Sequence, residues 1–181
     1  MKYMLIFVIL ALALCSCDSS NSPSEYVNES DYYKMSDVKM IYEVEDNSLI
    51  IPAVENRLLG EKLVVLFNKQ AFLFEYYDGS QNNASLVKLR RTFNVSEIEL
   101  NHIDSLSIKF SFRDFPSIVP VGADTNKSAN SSEKCRMSWR EKQSDKLIQT
   151  IYSEQWIGTF TPAGFDSVFV AFQSMFRSSY L

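Results

Sequence analysis

Apolar and polar positions alternate with a period of two along several stretches of this chain, as in strands that bury one face and wet the other. Met40, Tyr42 and Val44 face one way, Glu43 and Glu45 the other. Residues 64–67 and 71–77 read as a hairpin around Asn68, Lys69 and Gln70, with a turn after it at Asp78-Gly79-Ser80. Val87, Leu89 and Phe93 alternate with Lys88 and Arg90. The most regular alternation sets Leu106, Ile108, Phe110 and Phe112 against Ser107, Lys109, Ser111 and Arg113, and predicts a strand there. Cys135, Met137 and Trp139 alternate with Arg136, Ser138 and Arg140, and residues 147–160 hold one or two further strands. Residues 53–66 fit either element, because Leu58, Leu59, Leu63 and Leu66 also suit helical spacing.

Helical periodicity is concentrated near the C-terminus. Phe165, Val168, Phe169, Phe172, Met175 and Phe176 follow the i, i+3, i+4 rule, with Thr161 placed to cap and Pro162 where a first helical residue lacks a needed N–H. The predicted fold is α+β: a mainly antiparallel β-sheet with a C-terminal amphipathic helix packed on it. One globular domain is expected over residues 32–181, behind a polar, Ser- and Asn-containing tether at 18–31.

The first residues carry the most specific signal. Lys2 precedes an apolar run over residues 4–14, which closes on Leu14-Cys15-Ser16-Cys17. As a helix that run would rise about 16 Å, roughly half of a ~30 Å hydrocarbon core, so it reads as a secretory leader and not as a span. Its end resembles the lipobox of bacterial lipoproteins, with an aliphatic residue three places before the modified cysteine and a small residue immediately before it. Cys17 meets both requirements, whereas Cys15 follows the bulky Leu14. The resemblance covers residues 1–17 and implies cleavage after Ser16, acylation of Cys17 (by palmitate among others) and attachment to the cell envelope facing the periplasm. Asp18 resembles the signal that in enteric bacteria retains lipoproteins in the inner membrane; the outer membrane is the alternative.

Charge and cysteine content narrow the function classes. The net charge of −4 becomes one unit more negative when Lys2 leaves with the leader. A mildly acidic chain gives no support to nucleic-acid binding. With Cys17 acylated, Cys135 is the only thiol left in the mature chain, which excludes an internal disulfide and reads as a buried apolar side chain.

Candidate chemistry is thin. His102, the only histidine, sits in Asn101-His102-Ile103-Asp104 and reads as a turn residue between strands. No nucleophile elbow, phosphate-binding glycine loop or paired Cys/His metal spacing is present, so no catalytic residue, metal site or cofactor is assigned. Two carboxylate pairs, Glu43 with Glu45 and Glu97 with Glu99, read as solvated strand faces. Residues 122–134 form a long polar loop, and Lys127, Lys134, Arg136, Arg140 and Lys142 cluster in and after it. Together they are the expected partner-binding surface. Two readings follow. One is a membrane-anchored, non-enzymatic protein-binding module, either an accessory subunit or a protein of the immunity or inhibitor type. The alternative is a carrier of lipid or another small apolar ligand in a β-barrel or half-barrel pocket.

Overall fold

The computed structural model describes residues 26–46, 57–79, 85–122, 133–153 and 158–181. Seven strands form one sheet: β1 (Val38–Asp46), β2 (Leu58–Leu66), β3 (Gln70–Tyr77), β4 (Leu86–Asn94), β5 (Ile118–Val119), β6 (Glu133–Trp139) and β7 (Ile148–Ser153). Their order is β4-β3-β2-β1-β6-β7-β5, antiparallel throughout except that the two-residue β5 runs parallel to β7. Among the described residues two helices complete the α+β fold, α1 (Glu97–Lys109) and α2 (Phe165–Ser178). The segment open between helix and strand is β2 over its described residues.

Strand alternation gives the sheet two apolar faces. Met40, Tyr42, Leu63, Val65, Leu73, Met137 and Trp139 project onto the side covered by α1 and α2, and join Phe112, Phe165, Phe172 and Met175 in the main core. On the other side Ile41, Val64, Leu66, Phe72 and Phe74 form a second cluster, packed against Val27, Tyr32 and Tyr33. The strap over this second face is residues 26–37. Val27 N–H donates to the Val87 carbonyl of β4 at 2.8 Å, and Tyr32 meets Phe72 and Phe74 edge-on at 5.9 and 5.8 Å. Val27 and Glu29, expected in the tether, therefore pack against the sheet.

Three expectations are corrected. The strand predicted over Leu106, Ile108, Phe110 and Phe112 is the end of α1 and the short 3-10 turn that follows. Ser96 accepts from Glu99 N–H while the Glu99 carboxylate accepts from Ser96 N–H, a capping box that starts the helix. Burial of Leu100, Ile103 and Ser107 then follows helical spacing, and the two-residue alternation is incidental because Ile108 stays exposed. Helix α2 begins three residues later than Pro162, capped by Gly164 and not by Thr161. Gly164 has φ +77°, and a Cβ there would lie 2.0 Å from the Phe110 ring, so only glycine turns the chain in at this point. Finally, Val87 and Leu89 pack on the second face but Phe93 on the first. The bulge that pairs Leu73 with Arg91 but Phe74 with Leu89 inserts Arg90 and switches the face.

Candidate functional site

The most connected polar group on the second face is Glu29, brought there by the strap. Its carboxylate accepts from Tyr33 Oη at 2.5 Å, from Tyr76 Oη of β3, and from Lys62 Nζ of β2 at 2.7 Å. Burial pushes the Glu29 carboxyl up, but hydrogen bonds from Lys62, Tyr33 and Tyr76 outweigh it and hold the carboxyl below its ordinary range. Burial and the hydrogen bond to Glu29, with the charges of Glu29 and Glu43, push the Tyr33 and Tyr76 hydroxyls well up. This arrangement fixes an ionised carboxylate and two neutral phenols, which suits a structural latch. A general acid needs a carboxyl shifted the other way.

Next to the latch lie the residues that the sequence singled out. Arg136 of β6 faces Glu43 of β1 in register, bonds it at 2.7 Å, and reaches Glu45 at 3.1 Å. Lys134 pairs with Glu45 at 3.4 Å. The Glu43 and Glu45 carboxylates are thus matched by two cations across the strands, all partly buried. Arg140, only 8% exposed, is turned inward, donating to the carbonyls of Ser36, Met35 and Gln143 at 2.9, 3.2 and 3.4 Å. Lys142 is exposed. Lys134 and Arg140 lie at the two ends of β6, about 20 Å apart at ~3.3 Å per residue, so the run that is compact in sequence is not one patch in space. Lys127 and Cys17 lie outside the described residues.

The other candidates move with the corrected helix. Glu97 and Glu99 stand in the first turn of α1, where acidic side chains complement the helix dipole, and Glu99 belongs to the capping box. His102 is an exposed helical residue, not a turn residue, and it lines a shallow groove of about 170 Å³ between α1 and α2 with Glu99, Ser167 and Ser174. Cys135 is buried, with Tyr42 Oη at 3.4 Å from its sulfur.

Two polar centres escaped the sequence reading. Lys39, 4% exposed, pairs with Asp104 of α1 at 2.8 Å, donates to the Glu141 carbonyl, and lies over the Phe67 and Trp139 rings. Trp139 Nε1 donates to the same Asp104 oxygen at 2.8 Å. A bulge between Val38 and Met40 places Lys39 here, and sequence alternation contains no sign of it. At the far side of the sheet Glu61 and Glu75 are paired in register and share Arg90, at 3.4 and 2.8 Å. Tyr77 Oη donates to Glu75 at 2.7 Å and Tyr180 Oη to Glu61. Only strand pairing reveals this further carboxylate pair, since its members are fourteen positions apart.

Cavities beside these groups are small and open. That of about 190 Å³ at Ser107, Arg113, Trp139 and Glu141, and that of about 270 Å³ at Arg91, Phe93, Glu99 and Met175, fall below the usual ligand-pocket range of ~300–1,000 Å³. Among the described residues no three His, Cys, Asp or Glu side chains are grouped to hold a metal ion, and no helix is long and apolar enough to cross a membrane. Comparison with protein-family models finds no match, and neither the curated proteins nor the solved structures contain a match to this chain.

Proposed function

We propose that the chain is an envelope lipoprotein, anchored through Cys17 to a bacterial membrane and facing the periplasm, that acts by binding another protein. The accessory-subunit and the inhibitor or immunity type are its two forms. The observation that carries this reading is the leader ending in Leu14-Cys15-Ser16-Cys17, placed ahead of a domain whose half-buried Glu29, Glu43 and Glu75 are taken up by cations of the same sheet. Acyl chains at Cys17 would hold the domain beside the membrane without insertion. Carboxylates taken up by Arg90, Arg136 and Lys62 support binding over catalysis. The carrier reading has less support, because Tyr42, Phe112, Trp139, Phe165 and Phe172 fill the space between sheet and helices.

The surface best suited to a partner begins where the 122–134 loop leaves the sheet. Val121 and Phe160 bridge one another beside it and are 36% and 59% exposed, an aromatic anchor next to a polar segment. Lys134 would supply its charged rim, Lys142 lies at the other end of β6, and the inward-facing Arg140 serves the fold. Cross-linking in intact cells followed by mass spectrometry tests this reading. Reproducible links from this surface to one envelope protein are expected. No protein partner, together with an apolar molecule retained in native mass spectrometry, would overturn it in favour of the carrier.

A further inference from the structure

We infer that the outer edge of β4, with the aromatic residues around it, is a docking surface for an anionic lipid bilayer, so that the sheet stands edge-on to the membrane. The inference rests on the anchor at Cys17 and adds the orientation of the domain. Tyr26 is nine residues beyond Cys17, so an acylated cysteine keeps it within about 30 Å of the lipid surface. The chain enters the fold at β4, an edge strand, where Val27 donates to the Val87 carbonyl.

The side chains at that edge have the composition of a membrane interface, where tyrosines sit at headgroup level and cations meet lipid phosphates. Tyr26 and Tyr180 are 43% and 39% exposed. Lys88 Nζ lies over the Tyr26 and Tyr77 rings at 5.2 and 4.8 Å, and the Arg90 guanidinium over Tyr180 at 4.7 Å. Glu61 and Glu75 offset Arg90. Lys88 and Arg91 have no carboxylate within ion-pair distance among the described residues; Arg91 donates to the Ser179 carbonyl at 3.1 Å and lies over Phe93. These two cations remain to complement acidic headgroups. Headgroup attraction decays within a Debye length of ~8–10 Å, so it acts on this edge and not on β5, six strand spacings or about 29 Å away. Val121 and Phe160, next to β5, then point away from the membrane toward a periplasmic partner.

The test uses the mature chain from residue 17 with Cys17→Ser, which keeps every described contact but has no acyl chain. Co-sedimentation is measured with vesicles of phosphatidylcholine alone and of phosphatidylcholine mixed with phosphatidylglycerol. Binding to the mixed vesicles only, weakened by salt, is expected. Lys88→Gln with Arg91→Gln should reduce partitioning roughly 25-fold, from about 1 kcal/mol per cation and 1.4 kcal/mol per tenfold. Lys142→Gln should leave it unchanged, and circular dichroism checks the fold of each variant. Hydrogen exchange of the Cys17→Ser chain on vesicles should protect 86–94 and spare 148–153, a readout that needs no change at the β4 edge. Absent binding, equal binding to uncharged vesicles, or protection elsewhere overturns the inference. So does protection of β4 that grows with protein concentration without vesicles, which assigns the edge to a second copy. Palmitate labelling of the full chain is read separately. Label at Cys17 without vesicle binding removes the edge and keeps the anchor, while vesicle binding without label does the reverse.

Discussion

Arg140→Ala should be among the most damaging single changes in this protein, although the sequence pattern places Arg140 on the polar strand face, among the partner-binding residues. The side chain is 8% exposed and its guanidinium donates to three main-chain carbonyls: Ser36 and Met35 of the strap, and Gln143 of the turn after β6. Removal leaves three part-buried carbonyls without this donor and unties the strap from β6. A charge-assisted hydrogen bond contributes about 1.5–3 kcal/mol, and three on one group are not additive, so a loss of about 3 kcal/mol is expected. For a domain of this size that corresponds to roughly 6–12 °C in Tm. Urea unfolding followed by circular dichroism measures it, with Lys142→Ala as the exposed control, expected within about 0.5 kcal/mol of wild type. An Arg140→Ala loss below about 1 kcal/mol, equal to that of Lys142→Ala, would refute the inward placement. Arg140→Glu should cost more still, so loss of partner binding in that variant would report unfolding.

Phe172→Ala should cost about 3–5 kcal/mol, because its ring is fully buried and stacks on Phe112 at 5.9 Å; chemical denaturation checks this. Stability should hold up to about pH 10 and decline above it. Unfolded tyrosines ionise near 10, whereas burial and Glu29 keep Tyr33 and Tyr76 neutral to higher pH, and the hydrogen bond to Glu75 pushes Tyr77 up to about 12. Their contribution is present below the unfolded value and lost as pH rises through the folded one; phenolate absorbance and circular dichroism followed together should show these rings ionising only with unfolding. Glu29 acts in the opposite direction, with its contribution present above the ordinary carboxyl value and lost as pH falls through its depressed one. Glu29→Gln should therefore flatten the acid limb of the stability curve. Cys17→Ala should abolish palmitate incorporation while Cys15→Ala leaves it intact, and radiolabelling of the two variants separates them.

Period-two alternation sufficed for β1 from Met40 onward and for β6, apolar runs on either side of a turn for the β2–β3 hairpin, and i, i+3, i+4 spacing for the apolar stripe of α2. Helix α1 was not legible. Its buried stripe is short and includes Ser107, while an accidental two-residue period overlies its second half. The proposed leader and acylated Cys17 rest on local sequence chemistry alone, since a signal peptidase acts on an extended segment and not on a fold. Partnerships between charges could not be read this way. The alternation that marks Glu43, Glu45, Arg136 and Arg140 as polar is the same for a solvated side chain, a cross-strand pair and a buried guanidinium. Strand order and register bring β1 beside β6 and β2 beside β3, two bulges turn Lys39 and Arg90, and the strap carries Glu29 onto Tyr76 across forty-seven positions. Such contacts depend on which distant segments become neighbours, so only the tertiary structure decides which charges are spent inside the fold and which remain at the β4 edge for another surface.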